Sequence, residues 1–305
     1  MAVKVGVIGV GYLGQHHARI YSEIEEAELV AVVDIDKKKA DEFAQKYECE
    51  SCDDYSDILD KVDALSIVTP TSSHYDIALD CIKAGKDILI EKPVTVSIEE
   101  ADTLIKESRI NNCIIQVGHL ERYNPAILAV SGMVNEPMFI ESERLSPFLG
   151  RGTDVDVTLD LMIHDIDIML SLVSSPVKEM RAVGAKVLTD KIDVAKAWLE
   201  FENGCMALAT VSRLSPEKQR RLKVFQKDSY VAIDYQSSEI RHYFRDKKGI
   251  SHAVTKPESR EPLKEELKDF ISCVKERRRP KVSAVEGRNA LKVVLEINNI
   301  IKNGR

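Results

Sequence analysis

Val3-Lys4-Val5-Gly6-Val7-Ile8-Gly9-Val10-Gly11-Tyr12-Leu13-Gly14 decides the fold. Val3 to Ile8 is apolar and β-branched apart from Lys4 and Gly6, as in a strand buried on both faces. Three glycines follow at G-x-G-x-x-G spacing. Gly9 permits a tight turn, Gly11 lets a pyrophosphate approach the backbone, and Gly14 lets the next helix pack against the strand. Tyr12 and Leu13 complete the turn. The free N–H groups at the start of that helix then face the phosphates. The spacing alone is weak evidence, so its surroundings must agree.

They do. Downstream of Gly14, Ala18, Ile20 and Tyr21 sit among polar residues with no proline, as in a helix. Glu28 to Asp34 is a second apolar strand, and it ends on a carboxylate twenty residues after Gly14. A carboxylate there accepts the adenosine-ribose hydroxyls and repels a 2′-phosphate, which favours NAD over NADP. Lys37, Lys38 and Lys39 read as a solvated helix start. Strand and helix patterns then alternate through 62–69, 74–84, 87–90, a helix capped by Ser97 and Glu100, and 114–118. This order predicts a doubly wound parallel sheet of Rossmann type over residues 1–122.

Beyond residue 122 the rhythm changes. A helical stretch over 124–134 and a strand over 139–146 precede a long apolar helix over 157–173. Six strand-like runs follow between residues 179 and 244, with turns at Asn203-Gly204 and Lys227-Asp228. Two helices, 263–277 and 284–302, end the sequence. Residues 123–305 are therefore expected to form an α+β domain with a large, mostly antiparallel open sheet. Ala207, Ala209 and Val211 alternate with Leu208 and Thr210, so both faces of the sheet are rather apolar. That predicts association of copies through it, as a homodimer or homotetramer.

The 305 residues carry 44% hydrophobic and 30% charged side chains and a net charge of −7, which gives no reason to expect nucleic acid or an anionic membrane as partner. The basic clusters Arg220-Arg221 and 275–279 read as solvated surface. No run is long enough to span a membrane, and the first residues lead straight into a core strand, so a cytoplasmic location is expected. The six cysteines are expected to be free thiols. Cys49 and Cys52 have C-x-x-C spacing but no second pair, so neither a metal site nor a redox motif is assigned.

Two places carry candidate chemistry. Glu91-Lys92-Pro93 follows a parallel strand, where the nicotinamide belongs, and Lys92 there can hydrogen-bond a substrate hydroxyl and steady an alkoxide. On the helix over 157–173, Asp160 and His164 stand four apart, with Asp165 and Asp167 beyond. An aspartate that orients a histidine makes a general base.

Gly9-x-Gly11-x-x-Gly14, Glu91-Lys92-Pro93 and Asp160-x-x-x-His164, in that order and spacing, resemble the Gfo/Idh/MocA oxidoreductase family over nearly the whole chain. The resemblance implies a Rossmann domain followed by a sheet domain that commonly mediates dimers or tetramers. It implies catalytic roles for Lys92 and His164, with Asp160 binding the substrate hydroxyl or the histidine. It also places Thr69, Pro70, Thr71 and His74 along the nicotinamide half of the cofactor. Residues 118–125, 144–148 and 154–167 look like those of bacterial members that act on UDP-N-acetylglucosamine. Those oxidise its C3 hydroxyl to a ketone ahead of transamination to a 3-amino sugar for lipid A. On that reading Arg122, Tyr123, Arg144 and Arg151 join Lys92, Asp160 and His164 around the substrate, the arginines suiting its diphosphate. Two alternatives stand beside it. One is a dehydrogenase of inositol, glucose or another UDP-sugar. The other is an NAD-binding regulator without turnover, which would have no need of Lys92, Asp160 and His164 together. Whether His164 or Lys92 takes the proton is open.

Overall fold

A computed structural model describes residues 1–148, 150 and 155–304. The chain divides into two compact units, residues 1–120 with 261–288 and residues 121–260 with 289–305.

The first unit begins with β1 (Val3–Ile8), α1 (Gly14–Glu23), β2 (Ala27–Val33), α2 (Lys37–Tyr47) and β3 (Glu50–Cys52). A short helical turn at Tyr55–Lys61 leads to β4 (Ala64–Ile67), α3 (His74–Lys83), β5 (Asp87–Glu91), α4 (Ile98–Ile110) and β6 (Ile115–Gly118). The strands form one parallel sheet in the order β3-β2-β1-β4-β5-β6. This is the doubly wound arrangement, in which ligands collect at the carboxyl ends of the strands, beside the switch between β1 and β4. Ser97 Oγ caps α4 by accepting the N–H of Glu100 at 3.3 Å.

The second unit contains α5 (Pro125–Ser131), β7 (Phe139–Leu145), a π turn at Thr158–Met162 and α6 (Ile163–Val173). Seven strands follow: β8 (Val177–Ala185), β9 (Val194–Phe201), β10 (Met206–Ser212), β11 (Gln219–Gln226), β12 (Ser229–Asp234), β13 (Glu239–Asp246) and β14 (Gly249–Thr255). Their sheet runs β14-β13-β12-β11-β7-β10-β9-β8, antiparallel throughout except for β7 beside β10. One face is the core: Ala207, Ala209, Val211, Leu222 and Val224 are buried with Ile163, Ile166 and Met169 of α6. The other face carries a row of rings, Trp198, Phe139, Phe225, Tyr230, Tyr243 and His252, each centroid 4.7 to 5.8 Å from the next.

Two expectations need correction. The helix α7 (Pro262–Glu276) belongs to the first unit, so that unit is not residues 1–122 alone. Leu263, Leu267, Phe270, Ile271 and Val274 make one apolar stripe, which is buried with Val3, Val5, Ile20 and Tyr21. The next residues cover the sheet edge, where Val117 N–H donates to Val282 C=O at 2.9 Å. The division between units then falls within α8 (Ala284–Asn303). The long apolar helix is not α-helical from its start either, because it opens with the π turn, closed by the Ile163 N–H on the Thr158 carbonyl.

Candidate active site

The glycine turn of the first unit can be tested by building side chains onto it. A Cβ on Gly14 would lie 1.8 Å from the Gly9 carbonyl oxygen, and one on Gly9 would lie 2.7 Å from that of Val68. Gly9 also has φ +88°, a left-handed conformation that favours glycine. A Cβ on Gly11 would meet nothing within 4 Å. Two glycines are thus demanded by the protein's own packing, and the third leaves open the side from which a pyrophosphate would come.

The carboxylate of Asp34 is part of the same turn. Its Oδ2 accepts the Val10 N–H at 3.0 Å and its Oδ1 accepts the Asp36 N–H at 2.9 Å. An acid held at this point, beside an open glycine backbone, fits the ribose end of a dinucleotide.

Lys92 is half-buried and joined to Pro93 by a cis peptide bond. His74, only 1% exposed, stands between this turn and the one after β4. Its Nδ1 lies 2.9 Å from the Pro93 carbonyl and its Nε2 lies 2.9 Å from the Thr69 carbonyl. Burial draws its pKa below the ordinary histidine range, against the pull of those two carbonyls. His74 is therefore packed between the two loops rather than presenting its ring on the surface, and when neutral it donates its single N–H to one of the two carbonyls. Ser73 Oγ donates to Thr69 Oγ1 at 2.9 Å, which steadies the segment from Thr69 through Pro70 and Thr71.

In the second unit, Asp160 lies in the π turn and His164 in the first turn of α6, both half-buried. The neighbouring arginines have unlike surroundings. Arg122 Nη1 donates to the Asp167 carbonyl at 3.4 Å, and its Nε lies 3.8 Å from Asp167 Oδ2. Arg144 is 2% exposed. Its Nε and Nη2 donate to the two Asp165 oxygens at 3.0 Å, and its Nη1 donates to Glu121 Oε1 at 2.9 Å. Burial works against the Glu121 carboxylate, but the Arg144 charge and hydrogen bond hold it below the ordinary carboxylate range.

The expected substrate roles of Arg144 and Tyr123 therefore need correction. Arg144 has its donor edges filled by Asp165 and Glu121, and Tyr123, 3% exposed, belongs to the interior. Arg151 lies outside the described residues. The reading of Arg220 as solvated surface also fails. Arg220 stands directly across from Arg144 in the β7–β11 register, its side chain is 37% exposed, and its Nη1 lies 3.6 Å from Glu121 Oε1. Burial, then the nearby Arg144 charge, holds it below the usual arginine range, while Glu121, Asp165 and Asp160 pull the other way. Strand alternation carried a signal for it. Leu222 and Val224 are buried, so Arg220 shares their face and Arg221 takes the other. Arg221 is the exposed member of the pair, 3.6 Å from Asp234.

Cys49 and Cys52 are half-buried free thiols, and burial pushes Cys49 up to about 11 and Cys52 up as well, so neither is poised as a thiolate. Among the described residues no group of His, Cys, Asp and Glu is arranged to hold a metal ion. No described helix is long and apolar enough to cross a membrane.

Comparison with known proteins agrees with the fold. Residues 3–119 match the model of the oxidoreductase family with an NAD-binding Rossmann fold, and residues 127–230 match the GFO/IDH/MocA C-terminal domain. The UDP-N-acetylglucosamine 3-dehydrogenase of Acidithiobacillus ferrooxidans is 37% identical over 303 residues, 97% of this chain and 96% of that protein. A solved structure of that enzyme superposes with a TM-score of 0.96 at 35% identity, covering 99% of this chain and 98% of its own. The scyllo-inositol 2-dehydrogenase (NAD(+)) of Bacillus subtilis is 28% identical over 330 residues, 99% of this chain and 95% of that protein. The scyllo-inositol dehydrogenase of Lactobacillus casei, solved with NAD(H) and scyllo-inositol, has a TM-score of 0.86 at 19% identity, covering 100% of this chain and 98% of its own, and shares the fold.

Proposed function

Because the chain belongs to the Gfo/Idh/MocA oxidoreductase family, we propose that it oxidises the C3 hydroxyl of UDP-N-acetylglucosamine to a ketone, with NAD as hydride acceptor. The observation that carries the reading is the full-length likeness to an enzyme of that name, at 37% identity. Bound NAD supplies the electrophilic nicotinamide carbon that takes the hydride. Asp34 selects NAD over NADP, because a carboxylate anchored to the glycine turn repels a 2′-phosphate.

The chain's own residues handle the proton and the charge. His164 takes the proton of the substrate hydroxyl, and Asp160 orients the ring or the hydroxyl. Lys92 stabilises the oxygen as negative charge develops on it. Exchanging the roles of Lys92 and His164 gives the other assignment of the proton. Arg220 meets the diphosphate. In the sugar, the phosphate-bearing C1 lies two ring bonds from the reacting C3, so a cation near Asp160 suits it. Arg122 supports α6 through Asp167. Copies of the chain associate through the ring-bearing face of the large sheet, and the six free cysteines suit a cytoplasmic setting.

The test is NAD reduction, followed at 340 nm, with UDP-N-acetylglucosamine, other UDP-sugars, inositols and glucose. Faster turnover of an inositol would replace the proposed substrate with the neutral polyol of the Bacillus relative's name. No turnover of any hydroxy compound, with NAD still bound, would favour a regulator. Lys92→Met and His164→Asn, tested singly, should each cost at least about a hundredfold in kcat. Near-normal turnover in both would sink the site assignment.

A further inference from the structure

A buried chain of polar side chains lies outside this reaction scheme and ends beside it. His17, the fourth residue of α1, is 0% exposed. Its Nδ1 lies 3.3 Å from Ser66 Oγ of β4, and the Tyr21 hydroxyl lies 2.8 Å from the same oxygen. Its Nε2 lies 3.3 Å from Glu91 Oε1, an ion-pair distance, and neither of these two atoms has a hydrogen-bond partner among the described residues. The second Glu91 oxygen accepts the backbone N–H of Lys92 at 3.2 Å. On the far side, a Cβ on Gly118 would fall 2.7 Å from Glu91 Oε1, so only bare backbone fits against the carboxylate.

Burying an imidazole and a carboxylate together is costly unless each finds its partner, and an apolar pair would fill the same volume without that cost. The donors here run in one direction. Burial pushes the Tyr21 phenol well above its ordinary range, so it keeps its proton and can donate to Ser66. Ser66 can then donate to Nδ1, which leaves the Nε2 hydrogen on the side of the ring that faces the Glu91 carboxylate. His17 also lies one turn into the helix whose N-terminus faces the glycine turn.

We propose that His17 is a positioning residue for Lys92. Through Glu91 it holds the backbone that carries the amine, and it ties that backbone to the helix that meets the dinucleotide phosphates. The inference rests on the reading of Lys92 as the amine that acts on substrate.

Two amide replacements separate the contacts of His17. In His17→Gln the side-chain nitrogen reaches the place of Nε2 and keeps an N–H facing Glu91. In His17→Asn it reaches only the place of Nδ1, towards Ser66. Each full-length variant is measured for kcat, KM, NAD affinity and unfolding temperature. Lysines are also labelled by reductive ¹³C-methylation, with the Lys92 resonance assigned by its loss in Lys92→Met. His17→Asn should lower kcat about tenfold or more, keep NAD affinity near wild type, lower the unfolding temperature because Glu91 loses its partner, and move the Lys92 resonance. His17→Gln should stay within about threefold in kcat and leave that resonance in place. Equal behaviour of the two variants, or an unmoved Lys92 resonance in His17→Asn, would overturn the proposal. If neither variant folds, Glu91→Gln decides the matter, since it keeps shape and removes the charge and must move the same resonance. The resonance reads Lys92 without turnover. A wild-type enzyme inactive on UDP-N-acetylglucosamine would therefore refute the proposed reaction while leaving this inference to be settled by the spectrum.

Discussion

Asp34 accepts the backbone N–H of Val10 at 3.0 Å, so the acid at the end of β2 is built into the glycine turn after β1. Asp34→Ser should therefore do two things. It should weaken NADH binding about tenfold or more and narrow the gap between NADH and NADPH, as read by titrating the fluorescence of each reduced dinucleotide. An unchanged preference would place cofactor selection elsewhere in the chain.

The three glycines of the turn should respond differently to alanine. Gly14→Ala puts a methyl group 1.8 Å from the Gly9 carbonyl oxygen, so the backbone must move. A loss of about 2–3 kcal/mol in unfolding free energy is expected. Gly11→Ala has room within the protein, and its unfolding midpoint should stay near wild type while NAD affinity falls at least about tenfold. Urea unfolding with and without NAD measures both. Equal destabilisation by the two would contradict the division of roles.

Arg144 and Arg220 stand side by side across two strands, and replacing each with methionine should give opposite results. Arg144→Met strands Glu121 and Asp165 as buried carboxylates and should destabilise the protein by about 3–5 kcal/mol. Arg220→Met should leave the unfolding temperature near wild type and raise KM for UDP-N-acetylglucosamine about tenfold or more. It should leave the kinetics of any neutral polyol unchanged. A polyol defect as large as the UDP-sugar defect would remove Arg220 from diphosphate recognition.

Asp193 supplies a pH dependence of known sign. Its carboxylate accepts the N–H groups of Val187, Leu188 and Thr189 at 2.8 to 2.9 Å and the Thr189 hydroxyl at 2.7 Å. Burial works against the charged form, but these donors prevail and bring the pKa from 3.8 to about 2. A folded-state value below the unfolded one means stability that is fully present above pH 3.8 and is lost as pH falls towards 2. Asp193→Asn should be less stable than wild type at neutral pH, and the difference should shrink over that acid interval. Urea midpoints taken at intervals of half a pH unit would reveal it, and a constant difference would contradict the assignment.

What could be read from the chain alone depended on whether the partner was local. The strand, turn and helix around Gly9 to Gly14 and the acid at Asp34 follow from spacing, because each role is set by backbone geometry within a few residues. The stripe on α7 announces a buried face, but nothing in its period says that Val3, Val5 and Tyr21, more than two hundred residues away, lie against it. The strand β14 left almost no trace. It is an edge strand exposed at nearly every residue, so burial imposes no alternation on it. Arg144 and Arg220 were exchanged in role because charge identifies a residue that needs a partner without naming it. Asp165 and Glu121 are brought to Arg144 only by the sheet and the helix packed on it.

The return of α7 to the first unit has a consequence for the order of synthesis. A nascent chain of about 260 residues already contains every strand of the parallel sheet, yet it lacks Leu263, Leu267, Phe270, Ile271 and Val274. The apolar surface of β1 and α1 that these residues cover stays wet until then, and the 282–283 segment that covers the edge of β6 is missing as well. This unit therefore starts to fold before the other and cannot be completed until residues 261–288 have emerged from the ribosome. It must wait unsealed while the unit encoded between its two pieces emerges.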